Sequence, residues 1–285
     1  MELLLNAIVA GVLLGGFYAA VSLGISVSFG LLDVANIAHP VFIIAGAYAA
    51  YVTNSWLDPI LAGVSFTPIF YFLGVAVYRI YYASFEKKGE QSLRGLVFFF
   101  GVLFIIEVSL TLKYGVDYRF VTASYIGQSL LIGPIGIAFR LFVPFVVGLL
   151  LTLTLSLFLS KTFYGRAIMG VSQDSLALRL VGADPVKIKS IAFGLGIATA
   201  SLAGALLIII APVEPSIGRE YIGRVFAIAV LGGLGNIGGT LVAALILGVA
   251  ESLTSTFSGP SWALAVSFGI LLLALALRPS GLFGR

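Results

Sequence analysis

The chain has 285 residues, of which 60% are hydrophobic and only 10% charged, with a mean hydropathy of +1.13. Soluble domains run near a quarter charged, so this balance excludes an ordinary soluble domain and indicates a polytopic membrane protein. The lack of cysteine excludes disulfides, a thiol nucleophile and a Cys-ligated metal. The net charge of +4 sits in loops between apolar runs, where membrane topology rather than nucleic acid accounts for it.

Apolar runs without amphipathic periodicity occupy about 3–32, 40–57, 60–83, 95–112, 135–160, 190–211, 222–234, 238–257 and 262–277. Only helices or closed barrels satisfy the backbone in lipid, and runs of this length predict helices. At about 20 residues per crossing, the chain divides into roughly eight to ten spans, an all-α polytopic bundle forming a single transmembrane domain over 1–285. The first run is too long for a removable signal peptide and lacks its small-residue cleavage site, so it reads as the first span. The stretch 71–85 is rich in aromatics and reads as an interfacial belt. The run 222–234 is short for a full crossing and lies between Pro212, Pro215 and the Gly232–Gly239 cluster. It reads as a half-helix or re-entrant element, which protein or a cavity must cover.

Lys and Arg set the orientation. Arg79, Lys87, Lys88 and Arg94 form one group, Lys161, Arg166, Arg179, Lys187 and Lys189 a second, and Arg278 and Arg285 close the chain. With all three groups in the cytoplasm and nine spans, the N-terminus is outside and the C-terminus inside. The loops 113–128 and 212–221, with Lys113, Asp117, Arg119, Glu214, Arg219 and Glu220, then face outward.

The loop 161–190 is the longest hydrophilic segment. Asp174 is placed to N-cap a short helix, and Gly182 stands where a left-handed residue ends one. Asp184 and Pro185 supply the cap and first turn of the next helix. Leu176, Leu180 and Val181 lie near one face of the short helix, and Leu178 lies off it. So short a helix is unstable in water without a surface to pack on. That surface is either the lipid headgroups or a groove on a separate cytoplasmic subunit.

The run 165–206, GRAIMGVSQDSLALRLVGADPVKIKSIAFGLGIATASLAGAL, resembles the cytoplasmic loop of branched-chain amino acid ABC permeases. The likeness continues through AIAVLGGLGNIGGTLVAALILGVAESL at 227–253 and the ending RPSGLFGR at 278–285. Near the front, GGFYAAVSLGISVSFG and NIAHPVFIIAGAYAA are similar to the family's first two membrane segments, with Pro40 standing where the family carries glycine. The resemblance implies an inner-membrane permease subunit that hydrolyses nothing itself. It would work with two cytoplasmic ATPases, a second permease (homologous or identical) and an external substrate-binding protein. It further implies that Gly165 and Arg166 open a coupling loop. Asp174, Leu176, Leu180 and Gly182 then form the helix that docks on the ATPase, and Asp184 caps the next span. A sugar-type ABC permease and a stand-alone ion-coupled transporter are the rival readings. The ending at Arg278–Leu282 and the 227–253 run argue against the first, and the docking loop against the second.

Four further features carry candidate chemistry. Gly232, Gly233, Gly235, Gly238 and Gly239 are not a phosphate loop, because no Lys-Ser or Lys-Thr follows and both flanks are apolar helices. They read as a helix break or hinge with close backbone approach. His39, the only histidine, stands near Asn36 and is either a satisfied helix-end residue or part of the translocation pathway. Alone it builds no metal site, and no cofactor is expected. Glu107 and Glu251 lie inside spans, where an ionised group costs about 2.5–3.5 kcal/mol on insertion scales and faces a partner or a cavity. Glu251 is accordingly a second pathway candidate, with interhelical hydrogen bonding as the alternative for both.

Overall fold

A computed structural model describes residues 1–89, 93–180, 182–278 and 280–284. Val181, Pro279 and Arg285, used above, lie outside the described residues. The helices are α1 (Glu2–Ser28), α2 (His39–Thr53), α3 (Pro59–Ser84), α4 (Leu93–Tyr114), α5 (Phe139–Lys161), α6 (Phe163–Gln173), α7 (Ser175–Leu180), α8 (Pro185–Ile210), α9 (Gly218–Gly232), α10 (Ile237–Phe257) and α11 (Pro260–Leu277). Among the described residues, α1, α3, α4, α5, α8, α10 and α11 are long and apolar enough to cross a bilayer. The two remaining apolar runs become α2 and α9, each 15 residues. At about 22 Å, they fall short of a hydrocarbon core of about 30 Å.

The chain is apolar all round its helices, so burial is set by which helices let backbones meet. On α1, a Cβ at Gly11 or Gly15 would come within 2.6 Å of the α10 backbone at Val249 and Leu245. On α8, a Cβ at Gly204 would reach the backbone of Ile43 at 2.1 Å. Small residues therefore seat α10 on α1 and α2 on α8, the close approach that drives helix packing where lipid removes the hydrophobic incentive. α1 and α8 are mostly buried as a result, while α3, α4, α5 and α11 keep most of their surface outward.

The bundle has two distinct ends. At one, Asn6 of α1 bonds Pro134 and Gly136, Asn54 after α2 bonds Thr122, and Arg119 pairs by backbone with Val213. At the other, Lys189 meets Glu86 at 2.6 Å, Gly30 packs on Gly235, and Leu282 bonds Leu231. The basic segments gather at this second end, in agreement with the charge pattern.

One element departs from the all-helical expectation. The run assigned to 135–160 begins as a strand: β1 (Ser129–Ile132) pairs antiparallel with β2 (Ile135–Ala138), and α5 starts only at Phe139. Gly133 carries the turn at φ 59°, as a two-residue hairpin asks of its first central residue, with Pro134 second. Ile132, Ile135 and Ile137 are β-branched residues suited to this pleat.

Candidate functional site

The segment 161–190 is almost wholly helical. Thr162 ends α5 and caps α6, its side chain accepting from the Gly165 N–H at 2.9 Å. A Cβ at Gly165 would lie 2.1 Å from the Phe158 carbonyl, so glycine permits this sharp reversal. α6 buries Ala167, Ile168 and Val171 against the bundle and leaves Arg166 outward. The sequence reading named no separate helix at α6, treating these residues as the opening of the 161–190 loop; the apolar positions 168 and 171, three apart, were the available signal.

α7 forms as the caps predicted. Asp174 accepts from the N–H groups of Leu176 at 2.8 Å and Ala177 at 3.0 Å. Gly182, at φ 84°, donates to the Arg179 carbonyl, and Ala183 donates to Leu178. Asp184 caps α8 through the Val186 N–H at 2.9 Å, with Pro185 in the first turn. Leu178 packs inward near Gly170, whereas Leu176 and Leu180 are 66% and 82% exposed. A helix of six residues thus presents two leucines to the outside at the basic end.

Beside it, a cleft of about 600 Å³ separates the α5–α6 corner from the turn between α9 and α10. Its lining mixes Ser156, Ser172, Gln173 and Asn236 with Leu31, Met169 and Phe283, and among the described residues it carries no charged side chain. The turn is the predicted glycine cluster, and it is tightly packed. A Cβ at Gly239 would lie 2.0 Å from the Gly232 carbonyl, and one at Gly235 2.8 Å from that of Gly30. Only Gly233 and Gly235 of the five have positive φ, while Gly238 is uncrowded. Asn236 caps α10 and also donates to the Phe283 carbonyl, so residues 281–284 strap the turn.

Inside the bundle, His39 and Asn36 share one region and Glu251 another. His39 is fully buried, its Nε2 3.1 Å from the Val21 carbonyl, while Asn36 accepts from the Ala38 N–H at 3.1 Å. Among the described residues, His39 Nδ1 and Asn36 Nδ2 are buried and have no hydrogen-bond partner. Glu251 is instead saturated. It accepts from the Tyr18 hydroxyl at 2.5 Å, from Arg224 Nε at 3.0 Å and from the Ser267 hydroxyl. Its carboxylate therefore ties α1, α9, α10 and α11 together. Arg224 was overlooked in the sequence; an arginine inside an apolar run demands a carboxylate, and Glu107 and Glu251 were the two inside spans. Glu107 likewise has a partner, taking Nε and an Nη of Arg219 at 2.9 and 2.7 Å. Arg219 had been placed in an outward loop and stands instead in the first turn of α9.

Comparison with known proteins gives this architecture a family. The family described as branched-chain amino acid transport system / permease component matches residues 7–275. The high-affinity branched-chain amino acid transport system permease protein BraD of Pseudomonas aeruginosa is 28% identical, covering 99% of this chain and 96% of that protein. The corresponding LivH of Salmonella typhimurium is 27% identical over 96% of this chain and 94% of its own. LivM of the same organism is 32% identical over 50% of this chain and 34% of its own length. No solved structure matches. With a match running over most of the described helices, the chain belongs to the branched-chain amino acid transport permease family, a group of multi-pass membrane components of ABC transporters.

Proposed function

We propose that this chain is the inner-membrane permease subunit of an ATP-driven importer for branched-chain amino acids or related small amino acids and amides, and that it hydrolyses nothing itself. The basic end is cytoplasmic, where α7 docks on an ATPase subunit. A second permease completes the path, and an external binding protein delivers substrate. The observation that carries this reading is α7: six residues, capped by Asp174 and closed by Gly182, with Leu176 and Leu180 turned away from the bundle. Gly165 and Arg166 set the corner from which the loop departs, and Asp184 ties it to α8. Leu178, packed towards α6, is the contact through which a push on α7 reaches the bundle. Gly232, Gly233, Gly235, Gly238 and Gly239 shape the turn beside the cleft. Asn36 and His39, buried with unpartnered nitrogens, are the pathway candidates. The carboxylates that an ion-coupled transporter would leave free to titrate are both paired with arginine here.

The test is uptake of labelled leucine into proteoliposomes holding this chain with its ATPases, partner permease and binding protein. Uptake requiring both ATP and the binding protein is expected. Uptake by this chain alone, driven by a proton or sodium gradient, would refute the proposal.

A further inference from the structure

Two arginines on α9 hold two carboxylates, but in different surroundings. The Arg224–Glu251 pair is internal, with side chains 14% and 4% exposed. In the Arg219–Glu107 pair the carboxylate is covered, but the Arg219 side chain is 52% exposed and its guanidinium lies 5.0 Å over the Phe104 ring. It therefore stands on the outer surface of this single chain.

Its depth follows from the elements it joins. Glu107 lies about 10 Å before the end of α4 at Tyr114, counting about 1.5 Å per residue. Helical side chains lean towards their own N-terminus, which for α4 is the basic end, so the carboxylate sits deeper than its Cα. A Cβ at Gly218, next to Arg219, would lie 3.5 Å from the backbone of Pro40, about 20 Å before the end of α2 at Thr53. The segment 211–217 thus descends into the bundle before α9 begins. Both bonds to Glu107 hold the guanidinium there, so it does not snorkel up to the headgroups.

A half-exposed arginine side chain at this depth is costly against lipid and is normally turned to a protein interior or a water-filled cavity. Glu220, the next residue, is exposed as well. We infer that the face formed by α4 and the first turn of α9, centred on Arg219 and Phe104, is the one this chain turns to a second permease subunit across a water-filled path. The flank of α4 marked by Ile105 and Leu112, about 100° and 80° round the helix from Phe104, faces lipid. The inference rests on the permease reading and adds to it which surface borders the path. Phe100, Phe104 and Glu107 lie four and three residues apart and share one side of α4, whereas Ile105 is turned about 100° round the helix from Phe104.

Because the chain contains no cysteine, it is a ready background for thiol mapping. Phe104→Cys and Ile105→Cys are made separately in the assembled transporter in proteoliposomes and exposed to a charged, membrane-impermeant methanethiosulfonate. Only the thiolate reacts, and apolar surroundings suppress it by about tenfold per pKa unit. Position 104 should react at least about tenfold faster than 105 on that basis. A benzophenone tethered at 104 should then crosslink to a second permease subunit. Equal, slow labelling at both positions, or adducts only with lipid, overturns the assignment of this face. The same preparations are assayed for ATP-driven leucine uptake. Intact uptake with slow labelling at 104 sinks the face alone, whereas gradient-driven uptake without ATPases sinks the permease reading beneath it.

Discussion

The Arg224–Glu251 pair yields the sharpest stability prediction. Glu251→Leu removes the acceptor of three donors: the Arg224 guanidinium, the Tyr18 hydroxyl and the Ser267 hydroxyl. Ser267 keeps a second acceptor in the Ala263 carbonyl at 3.3 Å, so its loss is small. Interhelical hydrogen bonds in membranes average about 0.6 kcal/mol, so Tyr18 contributes little more. The uncompensated arginine dominates, since removing one partner of a buried pair costs about 3–5 kcal/mol. Arg224→Met alone leaves the carboxylate charged and buried and should cost a similar amount. Removing both charges leaves neither orphan, so the double variant should be more stable than the sum of the singles by at least about 2 kcal/mol. Denaturant titration of the detergent-solubilised protein, followed by circular dichroism, measures each corner of the cycle. If the two single effects add to within about 0.5 kcal/mol, the charges are not coupled and the reasoning fails.

Other substitutions test separate parts of the site. Leu176→Asp and Leu180→Asp alter exposed side chains, so stability should stay within about 0.5 kcal/mol of the parent while the ATPase no longer co-purifies; retained co-purification and uptake would remove α7 as the docking element. Asp174→Arg deletes the cap and places a cation at a helix N-terminus, costing about 1 kcal/mol locally. Together with Gly182→Pro, it should leave membrane insertion intact, as judged by expression in the membrane fraction, but abolish ATP-driven uptake. At the glycine turn, Gly239→Val should destabilise by about 2 kcal/mol or more, because its Cβ would sit 2.0 Å from the Gly232 carbonyl. Gly238→Ala, one residue away in open surroundings, should be neutral or stabilising by up to about 1 kcal/mol. Thermal unfolding in detergent separates the two.

What the sequence disclosed is what depends on neighbours in the chain. Asp174, Gly182 and Asp184 were legible because a cap is a bond between residues two or three apart. Helical spacing alone put Leu176 and Leu180 near one face and Leu178 off it, but which side turns outward is set by the packing of α7 on the bundle. The hairpin at 129–138 was not legible, since a short apolar stretch continuous with a span has no periodicity that distinguishes strand from helix. Glu251 was recognised as needing a partner, but Arg224 is reached only when α9 and α10 fold back on each other about the Gly232–Gly239 turn. The partner of Glu107 lies 112 positions away and depends on α9 starting at depth, which no local signal announces.

The two ion pairs also constrain how the bundle can move. Arg219 and Arg224 are five positions apart, about 140° around α9 at about 100° per residue. That separation lets one reach out to α4 and the other in to α10. Sliding α9 along α10 would part Arg224 from Glu251 and leave a buried charge, which is expensive. Parting Arg219 from Glu107 is cheap only where water reaches both the guanidinium and the covered carboxylate, and is costly in lipid. Motions that keep α9 on α10 and let α4 swing away are therefore favoured if the Arg219 face borders water. The strap at 281–284 reinforces this by fastening the α9–α10 turn through Leu282 to Leu231 and Asn236 to Phe283. α9, α10 and the C-terminal strap are therefore expected to move as one unit.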